Sequence, residues 1–162
     1  MKALVVCYSR TGNTRELAQS IARGLGADLD LILARERRDG LFGYLRCGYE
    51  AKLERLASIT QPTRHVEDYD LVVVGSPTWS GSMASPVRTY LTRHAQRIQS
   101  AAFFATCAVS GGDRAVLQMG ALARVDPIAT LVVHEADLRS GRAKSSVDIF
   151  VHHIVHGSWQ AA

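Results

Sequence analysis

Short continuous apolar runs alternate with segments of helical period from one end of this chain to the other, and that alternation limits the folds open to it more than any other feature. A strand covered on both faces reads as an unbroken apolar run, and strands alternating with helices build a parallel sheet. The runs are Ala3 to Cys7, Ala27 to Leu33, Leu71 to Val74, Ala102 to Thr106 and Ala129 to His134. Between them lie Leu17, Ile21 and Leu25, then Val87, Leu91 and Ala95, then Val116, Met119 and Leu122, and finally Val147, Val151 and Ile154, each set at helical spacing. No repeat, low-complexity tract or Pro/Ser linker interrupts the series. With 162 residues, 47% hydrophobic and 21% charged, the expectation is one α/β domain over residues 1–162, large enough to build a core without disulfides or a structural metal.

Local signals refine this outline. Asn13 with Glu16 forms a capping pair for the first helix, and Gly24 and Gly26 are stop signals. The second strand alternates Leu29, Leu31 and Leu33 with Asp28 and Asp30, which predicts an edge strand with one wet face. Ser85-Pro86 reads as an N-cap followed by Pro at the first helical position, and Asp113 as the cap of the next helix. Residues 35–62 are too long for a simple connection. They hold the Gly-and-aromatic stretch Gly40 to Tyr49 and then a predicted helix through Leu53 and Leu56, an elaborated segment whose first part should lie on the ligand side of the sheet. Within it Phe42, Tyr44 and Tyr49 can lid a ligand, pack the extra helix or form a homodimer contact.

Charge and cysteine content narrow the function classes. Nineteen Lys and Arg against 15 Asp and Glu give a net charge of +4, which favours an anionic ligand or partner. Nucleic acid is not expected: the basic residues are mixed with acids, as in Arg35 to Asp39, no zinc-finger spacing appears, and aromatic residues make up 7% of the chain. Cys7, Cys47 and Cys107 are odd in number and lack metal-site spacing, so a reducing cytoplasm is the expected setting. The apolar stretch after Met1 is too short for a signal sequence, and none is long enough for a membrane span. His152 and His156 stand four residues apart, yet no carboxylate or cysteine joins them, and no metal site is expected.

The segment that carries chemistry is the first strand-to-helix turn, Tyr8-Ser9-Arg10-Thr11-Gly12-Asn13-Thr14. Hydroxyl and backbone N–H donors here surround the positive end of a helix dipole, a setting for a terminal phosphate. The same residue types build ordinary capped turns, but three hydroxyls, at Ser9, Thr11 and Thr14, exceed what one cap needs. Other phosphate chemistries fail on a required residue. A nucleotide P-loop needs lysine where Asn13 follows Gly12; a cysteine phosphatase needs arginine where counting from Cys7 reaches Asn13; a dinucleotide fingerprint needs three glycines, and the turn has Gly12 alone.

Ser9 to Thr14 resembles the phosphate loop of the flavodoxin-like family, Ser/Thr-x-Thr-Gly-x-Thr, at every defined position. The stretch Gly75-Ser76-Pro77-Thr78-Trp79-Ser80-Gly81 follows the third strand, and Thr106 to Asp113 the fourth, where such proteins place their two loops against the flavin ring. The resemblance spans most of the chain. It implies a three-layer α/β sandwich around a five-stranded parallel sheet of order 2-1-3-4-5, an order carried over from the family rather than read from these residues. It implies FMN as cofactor, with Ser9, Arg10, Thr11, Gly12, Asn13 and Thr14 at the phosphate, Pro77, Thr78, Trp79, Ser80 and Gly81 beside the ring, and Cys107, Ala108, Val109, Ser110, Gly111, Gly112 and Asp113 on its other loop. Trp79 can stack on the ring or pack on a neighbouring helix, and the glycines can make flavin contacts or serve as turn residues alone. No side-chain base is required, because the cofactor carries the redox step.

Two departures from the family pattern bear on activity. The loop Cys107 to Asp113 lacks the second aromatic that many electron-carrying flavodoxins place over the opposite ring face, and the chain is basic where carriers are acidic. Both favour an FMN-dependent oxidoreductase, with NADH or NADPH as donor and a quinone-like acceptor reaching an uncovered ring. The alternative is a non-enzymatic carrier that takes electrons from a reductase and docks another redox protein.

Overall fold

The structure is a computed structural model; it describes residues 1–35 and 40–157, with the side chains of residues 40–42, 44, 46 and 47 not described. Five strands run parallel: β1 (Ala3–Cys7), β2 (Asp28–Leu31), β3 (Leu71–Trp79), β5 (Ala101–Cys107) and β6 (Thr130–His134). Their spatial order is β2-β1-β3-β5-β6, which is 2-1-3-4-5 among parallel strands, as the resemblance implies. A short strand, β4 (Ser82–Met83), turns back antiparallel on the end of β3. The helices are α1 (Asn13–Leu25), α2 (Gly40–Lys52), α3 (Ser85–His94), α4 (Gly112–Ala123), α5 (Glu135–Arg139) and α6 (Ala143–His156).

Strand residues alternate between two cores, because successive side chains leave opposite faces of a sheet. Leu4, Val72 and Phe103 join one cluster, which includes Val87 and Leu91 of α3 and Val116 and Met119 of α4. Val5, Val73 and Phe104 join the other, with Leu17 and Ile21 of α1 and Val147, Phe150 and Ile154 of α6. Burial on both faces is why these strands read as continuous apolar runs. The predicted boundaries of β1 are those observed, and the helical stripes of α1, α4 and α6 fall inside the observed helices; of the α3 stripe, Val87 and Leu91 fall inside and Ala95 begins the short 3-10 turn (Ala95–Arg97) that follows.

Several local expectations are corrected. Gly12, not Asn13, caps α1: it takes a left-handed φ of 104°, and its carbonyl accepts the Glu16 N–H at 2.9 Å. Ala84 caps α3 and Gly111 caps α4, each one or two residues before the expected Ser85 and Asp113. β2 is an edge strand, but its Asp30 is only 6% exposed. Its carboxylate accepts the backbone N–H groups of Leu31 (2.9 Å), Thr63 (2.9 Å) and Arg64 (3.0 Å) and the Thr63 hydroxyl (2.8 Å). These bonds satisfy the buried charge and fasten the returning segment along the edge, where Ala34 and Ile59 also bridge. The helix of the 35–62 segment is α2, lying over the glycine-rich stretch; Leu53 and Leu56 fall beyond it and are exposed. The roles considered for Phe42 and Tyr44 lie outside the described residues.

At the centre of the sheet Gly75 stands beside Phe104 in register, and a Cβ at Gly75 would lie 1.9 Å from the Phe104 ring. The glycine is required by this close approach of ring to strand. Gly75→Ala is expected to lower stability by about 1–3 kcal/mol in urea unfolding, as overpacking does in a close-packed core, and Phe104→Leu should recover part of that loss; a wild-type midpoint in Gly75→Ala would refute the packing account.

Candidate functional site

Every loop leaving the carboxyl end of a parallel strand opens on the same edge of the sheet, so the fold gathers residues distant in sequence. A cavity of about 310 Å³ lies there, within the size range of small-molecule sites. Arg10, Thr11 and Thr14 reach it from the turn after β1, Pro77, Thr78, Trp79 and Ser80 from the end of β3, and Ala108 from the loop after β5. All eight are among the residues singled out from the sequence.

The turn after β1 is shaped by its own polar groups. Ser9 Oγ accepts the Gly12 N–H at 3.1 Å, leaving the Ser9 hydroxyl proton to donate elsewhere. A Cβ at Gly12 would meet nothing within 4 Å, so its positive φ rather than crowding makes glycine fit there. The first-turn N–H groups of α1 have no partner within the helix and point toward this end, where the helix dipole is positive. Thr14 is buried, and its hydroxyl shares a 2.7 Å bond with that of Thr106 on β5. One of the two hydroxyls donates in this bond, so Thr14 can offer a proton to a ligand when Thr106 donates to it.

β3 runs into the site as an extended strand and ends in a hairpin. Thr78 pairs with Met83 and Trp79 with Ser82, and both turn residues have positive φ, 48° at Ser80 and 73° at Gly81. That is the pattern of a type I′ turn. Trp79 is held edge to face against Tyr8, with ring centroids 5.5 Å apart at 86°. Its ring is therefore fixed by core packing as well as lining the cavity. Thr78 Oγ1 is buried and has no hydrogen-bond partner among the described residues, an arrangement that costs free energy unless a ligand supplies one. The loop after β5 packs onto this hairpin: a Cβ at Gly111 would lie 2.5 Å from Gly81 Cα.

The remaining sequence candidates stand outside the cavity lining. Ser9, Gly12 and Asn13 form the turn, and Gly81, Ser110, Gly111 and Gly112 the neighbouring loops. Val109 is 81% exposed. Asp113 lines a different groove along α4, with Leu117 and Arg124. Cys107 is buried, its Sγ 3.6 Å from His134 Nδ1, and burial raises its thiol pKa. Burial likewise pushes the Cys7 thiol up to about 12; both cysteines are packing residues rather than nucleophiles.

Five lining residues were not assigned to the site from sequence as cofactor contacts: Leu45, Gly48, Tyr49 and Lys52 of α2, and Glu135 at the start of α5. The first four recur at i, i+3, i+4 and i+7, so one face of α2 forms a wall. Helical spacing would have grouped them, but nothing local says which way the helix faces. Glu135 directly follows β6 and is held by Arg139 at 3.5 Å; its place at a strand's carboxyl end was the available signal. The loop Cys107 to Asp113 has no aromatic, yet α2 brings a second aromatic, Tyr49, to the same cavity.

A parallel sheet of this order with a polar turn after β1 and an aromatic hairpin after β3 defines a flavodoxin-like protein. Residues 1–136 match the family model described as NADPH-dependent FMN reductase. The chain belongs to that family, and FMN is the cofactor that membership assigns to it. An NAD(P)H dehydrogenase (quinone) of Archaeoglobus fulgidus is 32% identical over 95 residues, covering 56% of this chain and 49% of that protein. One of Chromohalobacter salexigens is 32% identical over 93 residues, covering 55% and 45%. The chain thus spans about half the length of the curated relatives it matches. Among solved structures, a Lactobacillus acidophilus flavoprotein in complex with FMN superposes with a TM-score of 0.70 at 22% identity, covering 86% of this chain and 97% of that one. A putative flavoprotein of Bacteroides uniformis gives 0.73 at 15% identity, with coverage of 93% and 97%. These two likenesses show the fold.

The residues present fit FMN. The orphaned Thr78 hydroxyl offers a buried hydrogen bond, the turn after β1 offers hydroxyl and N–H donors to a phosphate, and Arg10 and Lys52 place positive charge on the lining. Thr78→Val removes a hydroxyl that has no partner among the described residues. Its urea midpoint is expected to stay level or rise, while FMN affinity falls about five- to tenfold, the worth of one hydrogen bond near 1 kcal/mol. Unchanged affinity in a fluorescence-quenching titration would remove Thr78 from the site.

Proposed function

We propose that this chain binds FMN in the cavity over the carboxyl-terminal edge of its sheet and acts as a cytoplasmic NAD(P)H-dependent oxidoreductase with a quinone-like acceptor. The observation that carries the reading is the convergence of the phosphate-type turn after β1, the Thr78–Trp79 hairpin and the α2 wall on one cavity. Membership of the NADPH-dependent FMN reductase family supports the donor. The partial match to the NAD(P)H dehydrogenase (quinone) of Archaeoglobus fulgidus supports the acceptor class.

The division of labour follows from the chemistry of each wall. Ser9, Thr11 and Thr14 hydroxyls and the α1 N–H groups bind the phosphate, and Gly12 keeps the turn close to it. Arg10 adds charge. Trp79, held by Tyr8, gives the flavin ring a fixed flat surface, and Thr78 orients it by one hydrogen bond. Bound FMN supplies the hydride chemistry, so no residue of the chain needs to act as nucleophile or base in it. Leu45 and Tyr49 give the α2 wall apolar surface beside Lys52, which suits a planar, weakly polar acceptor.

Purified protein with FMN is expected to oxidise NADPH or NADH in the presence of a benzoquinone at a rate well above that of free FMN. An absence of excess rate with either nucleotide, in protein that binds FMN, would refute the enzyme and leave an electron carrier.

A further inference from the structure

We propose that Glu54 is a positioning residue that clasps α2 onto the candidate site, a role that rests on reading that site as the FMN cavity. The helix α2 carries Leu45, Gly48, Tyr49 and Lys52 of the cavity wall, yet it contains Gly40, Gly43 and Gly48. Three glycines in thirteen residues give it little helical preference of its own, so its place depends on tertiary fastening. One fastening is contact: a Cβ at Gly48 would stand 2.9 Å from Ser80 Oγ, so the helix lies directly on the hairpin turn.

The second fastening is charge. After Leu53 N–H bonds the Tyr49 carbonyl at 3.0 Å, α2 closes in a Schellman cap, with Glu54 N–H to the Ala51 carbonyl at 3.2 Å and Arg55 N–H to that of Glu50 at 2.9 Å. Glu54 is the left-handed residue of that cap, φ 54°, a place glycine usually takes. Its side chain reaches α3 and α4. Its Oε2 stands 3.6 Å from Arg88 Nη1, and its Oε1 accepts the Gln118 side-chain N–H at 3.2 Å. Gln118 Oε1 in turn accepts the Met83 N–H at 3.0 Å, and its Nε2 lies 3.4 Å from Ser82 Oγ. The same carboxylate therefore bonds the end of α2 to the amide that braces β4, partner strand of Thr78 and Trp79.

Arg88 is the buried partner of this contact. It is 8% exposed, and its Nε and Nη2 have no hydrogen-bond partner among the described residues. A buried guanidinium so poorly paired is strongly disfavoured once its carboxylate is removed. Glu54, its side chain 54% exposed, offers Arg88 this carboxylate from the end of α2, and so ties the helix to α3. Glu54 is not among the residues that line the cavity and acts through the wall that it holds.

Hydrogen exchange of the FMN-free protein tests the clasp directly. In Glu54→Ala the amides of residues 40–56 are expected to exchange at least tenfold faster while those of β1, β3 and β5 keep their wild-type rates; wild-type rates in residues 40–56 would overturn the proposal. Should the stranded Arg88 prevent folding, Glu54→Ala with Arg88→Met removes both partners, and the same loosening is expected there, unchanged exchange again overturning it. The effect on the site is read from FMN titrations. Glu54→Ala should raise Kd about tenfold, and should add little once Tyr49→Ala is already in place, because both act through one wall. Independent, multiplying effects would mean a general loss of stability and would overturn the positioning role. Wild-type protein that shows the exchange pattern but does not bind FMN would refute the cofactor site while leaving the clasp standing.

Discussion

β3 is one uninterrupted extended strand whose first half is core and whose second half is site, and the rest of the molecule depends on that continuity. Leu71 to Val74 are buried on both faces between β1 and β5. Gly75 then lets the Phe104 ring close over the strand, and the chain continues without a break into Pro77, Thr78 and Trp79 on the cavity. Because the site residues are the tail of the central strand, whose first six residues are buried, their positions follow from core packing. A loop would have to buy that order from its own contacts.

The surrounding pieces are attached to this strand in two different ways. The turn after β1 is placed by the parallel register of β1 with β3, and the Thr14–Thr106 hydroxyl bond ties α1 to β5 at the same level. These are short links, made between neighbouring elements. The α2 wall is attached by longer ones, through Gly48 on the hairpin turn and Glu54 on Arg88 and Gln118. A site built this way has a rigid floor and a separately fastened side, which suits a cofactor that stays and a second reactant that enters and leaves.

The sequence made legible what local pattern determines. Strands buried on both faces appear as apolar runs, so β1, the first half of β3, β5 and β6 are legible, and the polar turn after β1 stands out because hydroxyls and glycine cluster at a strand end. What escaped depends on contacts distant in the chain. Asp30 reads as a wet position until Thr63 and Arg64 return to satisfy it. The helix of the 35–62 segment was expected at Leu53 and Leu56, because glycines argue against Gly40–Lys52; tertiary contacts with the hairpin override that preference. Gly75 to Gly81, expected as a loop after the third strand, is instead the continuation of β3 through Trp79 and a turn at Ser80–Gly81 into the two-residue β4, an extension set by pairing with β5 and β4 that glycine and proline conceal. Glu135 lines the site because of where β6 ends, a matter of topology rather than of composition.

A crystal structure of the protein with FMN tests the central claim most directly. The account predicts the phosphate within hydrogen-bonding distance of Thr11, Thr14 and the first N–H groups of α1, the flavin ring against Trp79, and the Thr78 hydroxyl bonded to the cofactor. A phosphate bound elsewhere, or a flavin ring away from the β3–β4 hairpin with Thr78 still unpartnered, would contradict it.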